Sequence, residues 1–224
     1  MNYGKEFEKY AMSDHNVSSL NMHYHKQQLE NSMTPYILEE REMRVTQMDI
    51  FSRLMADRLL WVAGPVNDQM STIVQAQLMF LSNTSKEDIT MHVDSPGGSV
   101  KSGLSMVDVM DYIPCDIKTV NTGMAASMGS VLLGAGTKGK RSSLRHSTTM
   151  LHQSSGGFSG NIQDAKVDWA EWQKVNEELF VLLASYCGKT AEQVKNDATR
   201  DFWLNAVEAK KYGIIDEIIK PQTK

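Results

Sequence analysis

A chain of 224 residues with 41% hydrophobic and 22% charged residues can bury one large domain, or one domain with an appendage. A net charge of −4 gives no general drive toward nucleic acid, and the one basic cluster, Lys138-Gly-Lys140-Arg141, is short and glycine-rich. Cys115 and Cys187 stand too far apart for a metal-ligand spacing or a disulfide framework, and no apolar run approaches the roughly 20 residues of a membrane-spanning helix. Isolated thiols and an N-terminus without an apolar signal core point to a cytoplasmic protein that engages neither nucleic acid nor membrane.

The first thirty or so residues are polar and carry no sustained helical or strand period. His15, His23 and His25 fall here, but His23-x-His25 supplies too few ligands for a structural metal site. A flexible or removable extension is the favoured reading, and residues 1–31 are set apart from a domain at 32–224.

From Thr34 onward, short apolar runs alternate with helical patterns. Leu59–Ala63 reads as a buried strand closed by Gly64-Pro65, with Asn67 as the N-cap of a following helix. Ile89–Val93 is the next strand, ending in Asp94-Ser-Pro-Gly-Gly98 before a helix from about Ser99 to Tyr112. A third unit has a strand over Ile117–Asn121, a turn, and a small-residue helix from about Ser127 to Leu133. This alternation predicts an α/β fold with a largely parallel sheet.

Ser154–Gly160 is Gly/Ser-rich and breaks the rhythm. A long helix follows, from about Ile162 to Tyr186, with Ile162, Ala165, Trp169, Trp172, Asn176, Leu179 and Leu183 spaced alternately by three and four. Two tryptophans on that stripe suit a subunit interface at least as well as a core. Gly188 fits its C-cap, and Asn205 with Glu208 fits a capping box.

Ser127 lies where strand gives way to helix, among Gly123, Ala125, Ala126 and Gly129. Small neighbours permit a tight turn and close approach of a substrate backbone, and a helix start offers N–H groups for a developing oxyanion. The same serine could serve only as an N-cap. The Gly97-Gly98 pair leaves further N–H groups unobstructed, as half of an oxyanion hole or simply as a strand-to-helix turn. Its flanks lack the Lys-Ser/Thr of a phosphate loop. For a base, His152 at a strand end stands out over His92 within a strand and His146 in a polar loop. The carboxylate partner stays open between Asp197, Asp201 and Asp216.

These segments together resemble the proteolytic subunit of the Clp protease, from about Ser32 to Ile219. The matching stretches are Asp94-Ser-Pro-Gly-Gly98, Gly123-Met-Ala-Ala-Ser-Met-Gly129, Leu151-His-Gln153 with Gly156-Gly157, and Thr199-Arg-Asp-Phe202 running into Glu208-Ala209 and Tyr212-Gly213. The resemblance implies a crotonase-like fold of repeated ββα units with a protruding handle at about 154–187. It implies a serine endopeptidase with Ser127 as nucleophile, His152 as base, Asp201 as the third member, and Gly98 and Met128 as oxyanion donors. Gly98, Ser99, Val100 and Gln153 would bind substrate, and no metal or cofactor is called for. Two rivals share parts of the pattern: a crotonase-fold acyl-CoA enzyme and a non-catalytic ring subunit.

Assembly follows from the resemblance alone. Two stacked heptamers would enclose a chamber for protein and peptide substrates, fed by an AAA+ unfoldase. Ring–ring contacts would fall on Arg200, Trp169 and Trp172, and Glu39–Arg44 would line a charged axial entrance. Two departures stand out. Thr199 replaces the acid that usually precedes the arginine, and the unfoldase-docking positions include polar Thr90, His92, Thr122 and Ser142 beside Tyr112 and Leu144.

Overall fold

The structure is a computed structural model that describes residues 36–41, 44–157 and 161–221. The removable segment and its histidines, and positions 42 and 43 of the expected entrance, lie outside the described residues. Strands β1 (Tyr36–Arg41) and β2 (Arg44–Asp49) pair antiparallel, with Tyr36 opposite Asp49 and Arg41 opposite Arg44. Helix α1 (Ile50–Ala56) follows.

The main sheet has the order β3 (Leu59–Ala63), β4 (Ile89–Ser95), β5 (Ile117–Ala126), β6 (Arg141–Ser143) and β9 (Glu217–Ile218), all parallel. Strand β7 (Thr148–Leu151) runs parallel to the far end of β5, and β8 (Phe202–Asn205) pairs antiparallel with β7. Helices α2 (Asp68–Thr84), α3 (Val100–Tyr112) and α4 (Met128–Gly134) follow β3, β4 and β5 in turn. The predicted α/β fold with a mainly parallel sheet is the one observed, as befits strands linked by helical crossovers.

Alternation decides which face of the sheet is buried. Ile89, Met91, Val93 and Ser95 of β4 point into the core, while Thr90 and His92 are half-buried on the outer face. Val74, Leu78 and Leu81 of α2 recur at helical spacing and close the core with Met106, Val107 and Met110 of α3. Burying one such side chain contributes roughly 1.5–3 kcal/mol. Three predicted caps are present. The Asn67 side chain accepts from Met70 N, Gly188 is left-handed after α5 (Ile162–Cys187), and Asn205 and Glu208 complete a capping box on α7 (Ala206–Tyr212). Helix α6 (Ala191–Asp197) links α5 to β8. Among the described residues, no helix is long and apolar enough to cross a membrane.

One element runs further than its composition suggested. Strand β5 does not stop at Asn121 but continues to Ala126, because its second half finds a new partner in β7. The Asn121 side chain secures that change of partner. Its amide donates to Thr148 O at 2.9 Å and to Thr149 Oγ1 at 3.3 Å, and its carbonyl oxygen accepts from Gly123 N at 3.2 Å. All three elements that carry the site below meet at this end of β5.

Candidate active site

Ladder register brings three sequence-distant residues together. Ala126 pairs with Met150 across β5 and β7, and the next residue, Ser127, donates its N–H to Met150 O at 2.9 Å. Leu151 pairs with Phe202 across β7 and β8, so continuing that register by one residue sets His152 opposite Asp201. The side chains meet accordingly. Ser127 Oγ is 2.8 Å from His152 Nε2, and His152 Nδ1 is 3.2 Å from Asp201 Oδ1. His152 is 23% exposed and Asp201 60%, so the carboxylate is reached by water while the histidine is largely screened.

The other candidates are engaged elsewhere. Asp197 accepts from the Tyr212 hydroxyl at 2.9 Å, and Asp216 is ion-paired with the buried Arg141 at 2.6 Å. His92 stacks on Trp61 with ring centroids 4.5 Å apart, and exposed His146 lies beside Arg145. Ser127 occupies the N-cap position of α4 but makes no capping bond. Its φ of 53° and ψ of −123° fall where L-residues seldom sit, at a cost of order 1–3 kcal/mol. That geometry turns the hydroxyl from the helix toward His152.

The Pro-Gly-Gly turn packs directly beneath Ser127. A β-carbon on Gly97 would lie 2.6 Å from Ser127 Cβ and 2.8 Å from Met128 N. Val66 forms a parallel bridge with Gly98, donating to Gly97 O and accepting from Ser99 N. A parallel bridge uses one edge of the extended segment, so the N–H and C=O of Gly98 face the other way. A β-carbon on Gly98 would come 2.2 Å from Val66 O, which excludes any larger residue. Met128 is anchored by its buried side chain, which fills the space a side chain at Gly103 would need. Ser99 caps α3, and Val100 lines a small enclosed cavity of about 20 Å³ beside Ser127, with Met128, Val131, Leu179, Phe180 and Leu183 as its apolar wall.

A second set of contacts holds the segment after His152. Gln153 donates from its backbone to Ala198 O at 3.2 Å and from its side chain to Thr199 O at 3.3 Å. Ser154 bonds to Asn176 and Trp172 of α5. Arg200 is exposed, and the Thr199 hydroxyl turns back onto the Lys195 and Asn196 carbonyls. A strand-turn-helix serine, a strand-end histidine and a register-matched aspartate form a hydrogen-bonded chain suited to acyl transfer.

The sequence model of the Clp protease family matches residues 40–222. The chain belongs to the Clp protease family. A protein of Porphyromonas gingivalis named ATP-dependent Clp protease proteolytic subunit is 43% identical over 98% of this chain and 99% of its own length. Proteins of the same name from Bacteroides fragilis and Bacteroides thetaiotaomicron are 47% and 46% identical, each over 84% of this chain, covering 91% and 86% of their own lengths. Membership of this family makes the chain a serine peptidase of the Clp type, and its α/β architecture is consistent with the crotonase-like fold.

Three features of the site lay outside the sequence reading. Gly97 was visible only as one of two adjacent glycines. The apolar wall from α5 was visible only as part of a helical stripe. The bonds of Ser154 join positions 18 and 22 residues apart by side-chain hydrogen bonding, which leaves no periodic signal.

Proposed function

We propose that Ser127 is the nucleophile of a Clp-type endopeptidase, with His152 as general base and Asp201 as the group that orients it. The carrying observation is the continuous bond chain Ser127–His152–Asp201 in a chain of this family. With the Nδ1 proton directed to Asp201, the Nε2 lone pair of His152 faces the Ser127 hydroxyl. Ser127 Oγ attacks the peptide carbonyl as Nε2 takes its proton, and that proton passes to the leaving amine. Water then attacks the acyl-enzyme carbonyl and gives a proton to His152 Nε2; the bond to Ser127 Oγ breaks, Nε2 returns the proton to Oγ, and the acid product leaves.

The N–H groups of Gly98 and Met128 would receive the oxyanion. Two features support them. The Gly98 N–H faces away from the Val66 bridge, and Met128 stands in the first turn of α4, where N–H groups have no acceptor within the helix. Loss of one such donor costs about 3 kcal/mol of transition-state stabilisation in enzymes of this type. Substrate would add as an extended strand along Gly98, Ser99 and Val100 on the edge opposite Val66, with Gln153 on its far side. Recognition through main-chain bonds tolerates varied sequences, as a protease of unfolded proteins requires.

Assembly into two stacked heptamers is part of the same reading. The first half of α5 exposes Ile162 by 75% and Trp169 by 50%, seven residues apart on one stripe that would be covered by a second copy, with Trp172 and Arg200 nearby. Thr199 leaves Arg200 without the family's usual acidic neighbour, so the ring contact would rely more on this stripe.

The relatives' names imply a partner ATPase, here an AAA+ unfoldase. A cavity of about 470 Å³ on the outer sheet face, lined by Thr90, Lys118, Val120, Ser142, Ile219 and Lys220, would take its docking loop. That lining is more polar than a hydrophobic loop prefers, and docking would be weaker or directed to an unusual loop. Residues up to about Asn31 would be removed on maturation, and Glu39–Arg44 would form the axial entrance.

The test combines fluorophosphonate labelling with native mass spectrometry. Wild-type protein should be labelled at Ser127 and fly as a tetradecamer of chains shortened near Asn31. The Ser127→Ala variant should take no label. Persistent labelling of that variant would sink the nucleophile assignment.

A further inference from the structure

His152 is the first residue beyond the β7 ladder, so no sheet bonds hold its C-terminal side. Its position depends on what grips the next two residues. Gln153 is tied to the end of α6 and the following turn, at Ala198 and Thr199. Ser154 is tied to α5 on the opposite flank by three bonds. Its N–H and its hydroxyl donate to Asn176 Oδ1 at 3.0 and 2.8 Å, and its Oγ accepts the indole N–H of Trp172.

The Ser154 hydroxyl is engaged both as donor and as acceptor. The hydroxyl uses its hydrogen on Asn176 and a lone pair on Trp172. Asn176 and Trp172 stand four residues apart and so share one face of α5. The Trp172 ring also packs over Gly156, where a β-carbon would lie 3.3 Å from it, and meets Trp169 edge-on at 5.8 Å. An extended chain covers at most about 3.6 Å per residue, so two residues keep His152 within about 7 Å of this anchor.

We propose that Ser154, Asn176 and Trp172 form a clamp that positions His152 against Ser127. All three are positioning residues, acting through His152. The proposal rests on the reading of His152 as the base. Ser154 and Asn176 also line the cavity beside Ser127, and loosening the clamp lets the imidazole drift from the 2.8 Å contact with Ser127, which lowers the rate of acyl transfer. A lost hydrogen bond of this kind corresponds to about a three- to tenfold fall in rate.

The experiment measures kcat and KM on a short fluorogenic peptide, and the rate constant for fluorophosphonate acylation, in protein as purified whose assembly is confirmed for each variant by native mass spectrometry. The variants are Ser154→Ala, Ser154→Thr, Trp172→Phe and His152→Ala. Ser154→Ala and Trp172→Phe should each lower kcat and the acylation rate about three- to tenfold, with KM within about twofold. Ser154→Thr, which keeps the hydroxyl, should recover to within about twofold of wild type. Unchanged kcat in both Ser154→Ala and Trp172→Phe would overturn the clamp, as would a loss confined to KM or one that Ser154→Thr fails to restore. His152→Ala separates the two readings. If it stays active, the assignment of His152 fails and the clamp fails with it. If it is inactive while Ser154→Ala is unimpaired, only the clamp fails.

Discussion

Gly97 approaches Ser127 so closely that a β-carbon on Gly97 would stand 2.6 Å from the β-carbon of Ser127. The same atom would press on Ala126 O at 2.7 Å and Met128 N at 2.8 Å, all at a φ of 91° that L side chains avoid. Relief requires the serine turn to move, and with it both the proposed nucleophile and a proposed oxyanion donor. Gly97→Ala should lower kcat/KM by at least about a hundredfold, the scale of losing one oxyanion donor. Circular dichroism should show the fold retained, and a variant with near wild-type kcat/KM would contradict the close-packed turn.

The cavity beside Ser127 is small and walled largely by apolar side chains, a place suited to the side chain on the acyl side of the cut. Phe180 is 2% exposed and forms part of the wall. Phe180→Ala should shift preference toward the larger side chains by roughly 10-fold or more, at a stability cost of about 3 kcal/mol or somewhat above. Parallel kcat/KM measurements on a peptide series decide the point. An unchanged order of preference would place the specificity pocket elsewhere.

Asp216 ties β9 to β6 through Arg141, which is 3% exposed and also donates to the carbonyls of Tyr186 and Gly213. Burial works against ionising Asp216, but bonds from Arg141 and Gly139 outweigh it and hold the carboxyl below the usual carboxylate range. A depressed folded value contributes stability above the unfolded pKa of about 3.9, and the contribution fades as pH falls through the folded value. Asp216→Asn leaves a buried guanidinium without its counter-charge and should cost about 3 kcal/mol at pH 7. Urea denaturation should show the gap between variant and wild type narrowing at more acid pH. A gap independent of pH would refute the ionic contribution.

Cys187 should be a slow thiol. Burial pushes its pKa up to about 11, although Arg141 and Lys189 pull it down. At pH 8 only about one molecule in a thousand then carries the thiolate that reacts. Cys115 is buried, with its thiol donating to Ser85 O at 3.3 Å. Iodoacetamide should modify neither residue appreciably in the native protein at pH 8 and both after denaturation, as read by intact mass. Rapid native alkylation of Cys187 would contradict this burial.

Local chemistry made much of this fold legible. Asn67, Gly188 and the Asn205–Glu208 pair mark helix ends because each satisfies backbone groups within a few residues of itself. The strand-turn-helix units announced the parallel sheet, and His152 was distinguishable as a strand-end histidine. The choice among Asp197, Asp201 and Asp216 was not legible from spacing, since it depends on which residue of β8 faces which residue of β7. The extension of β5 to Ala126 was hidden for a similar reason, because small residues such as Gly123 and Ala125 look like a turn until a partner strand covers them. The hairpin at β1 and β2 was also missed, since its charged positions carry no clean alternation.

Register itself carries a consequence for how this sequence can change. Opposite His152, the neighbours of Asp201 are Arg200 on one side and Phe202 on the other. Sliding β8 by a single position would exchange an anion for a cation or for a ring. Insertions and deletions between Asp201 and Leu204 should therefore be far less tolerated than substitutions there, even though Phe202 and Trp203 are not deeply buried. Spacing, more than side-chain identity, is what this short strand has to conserve.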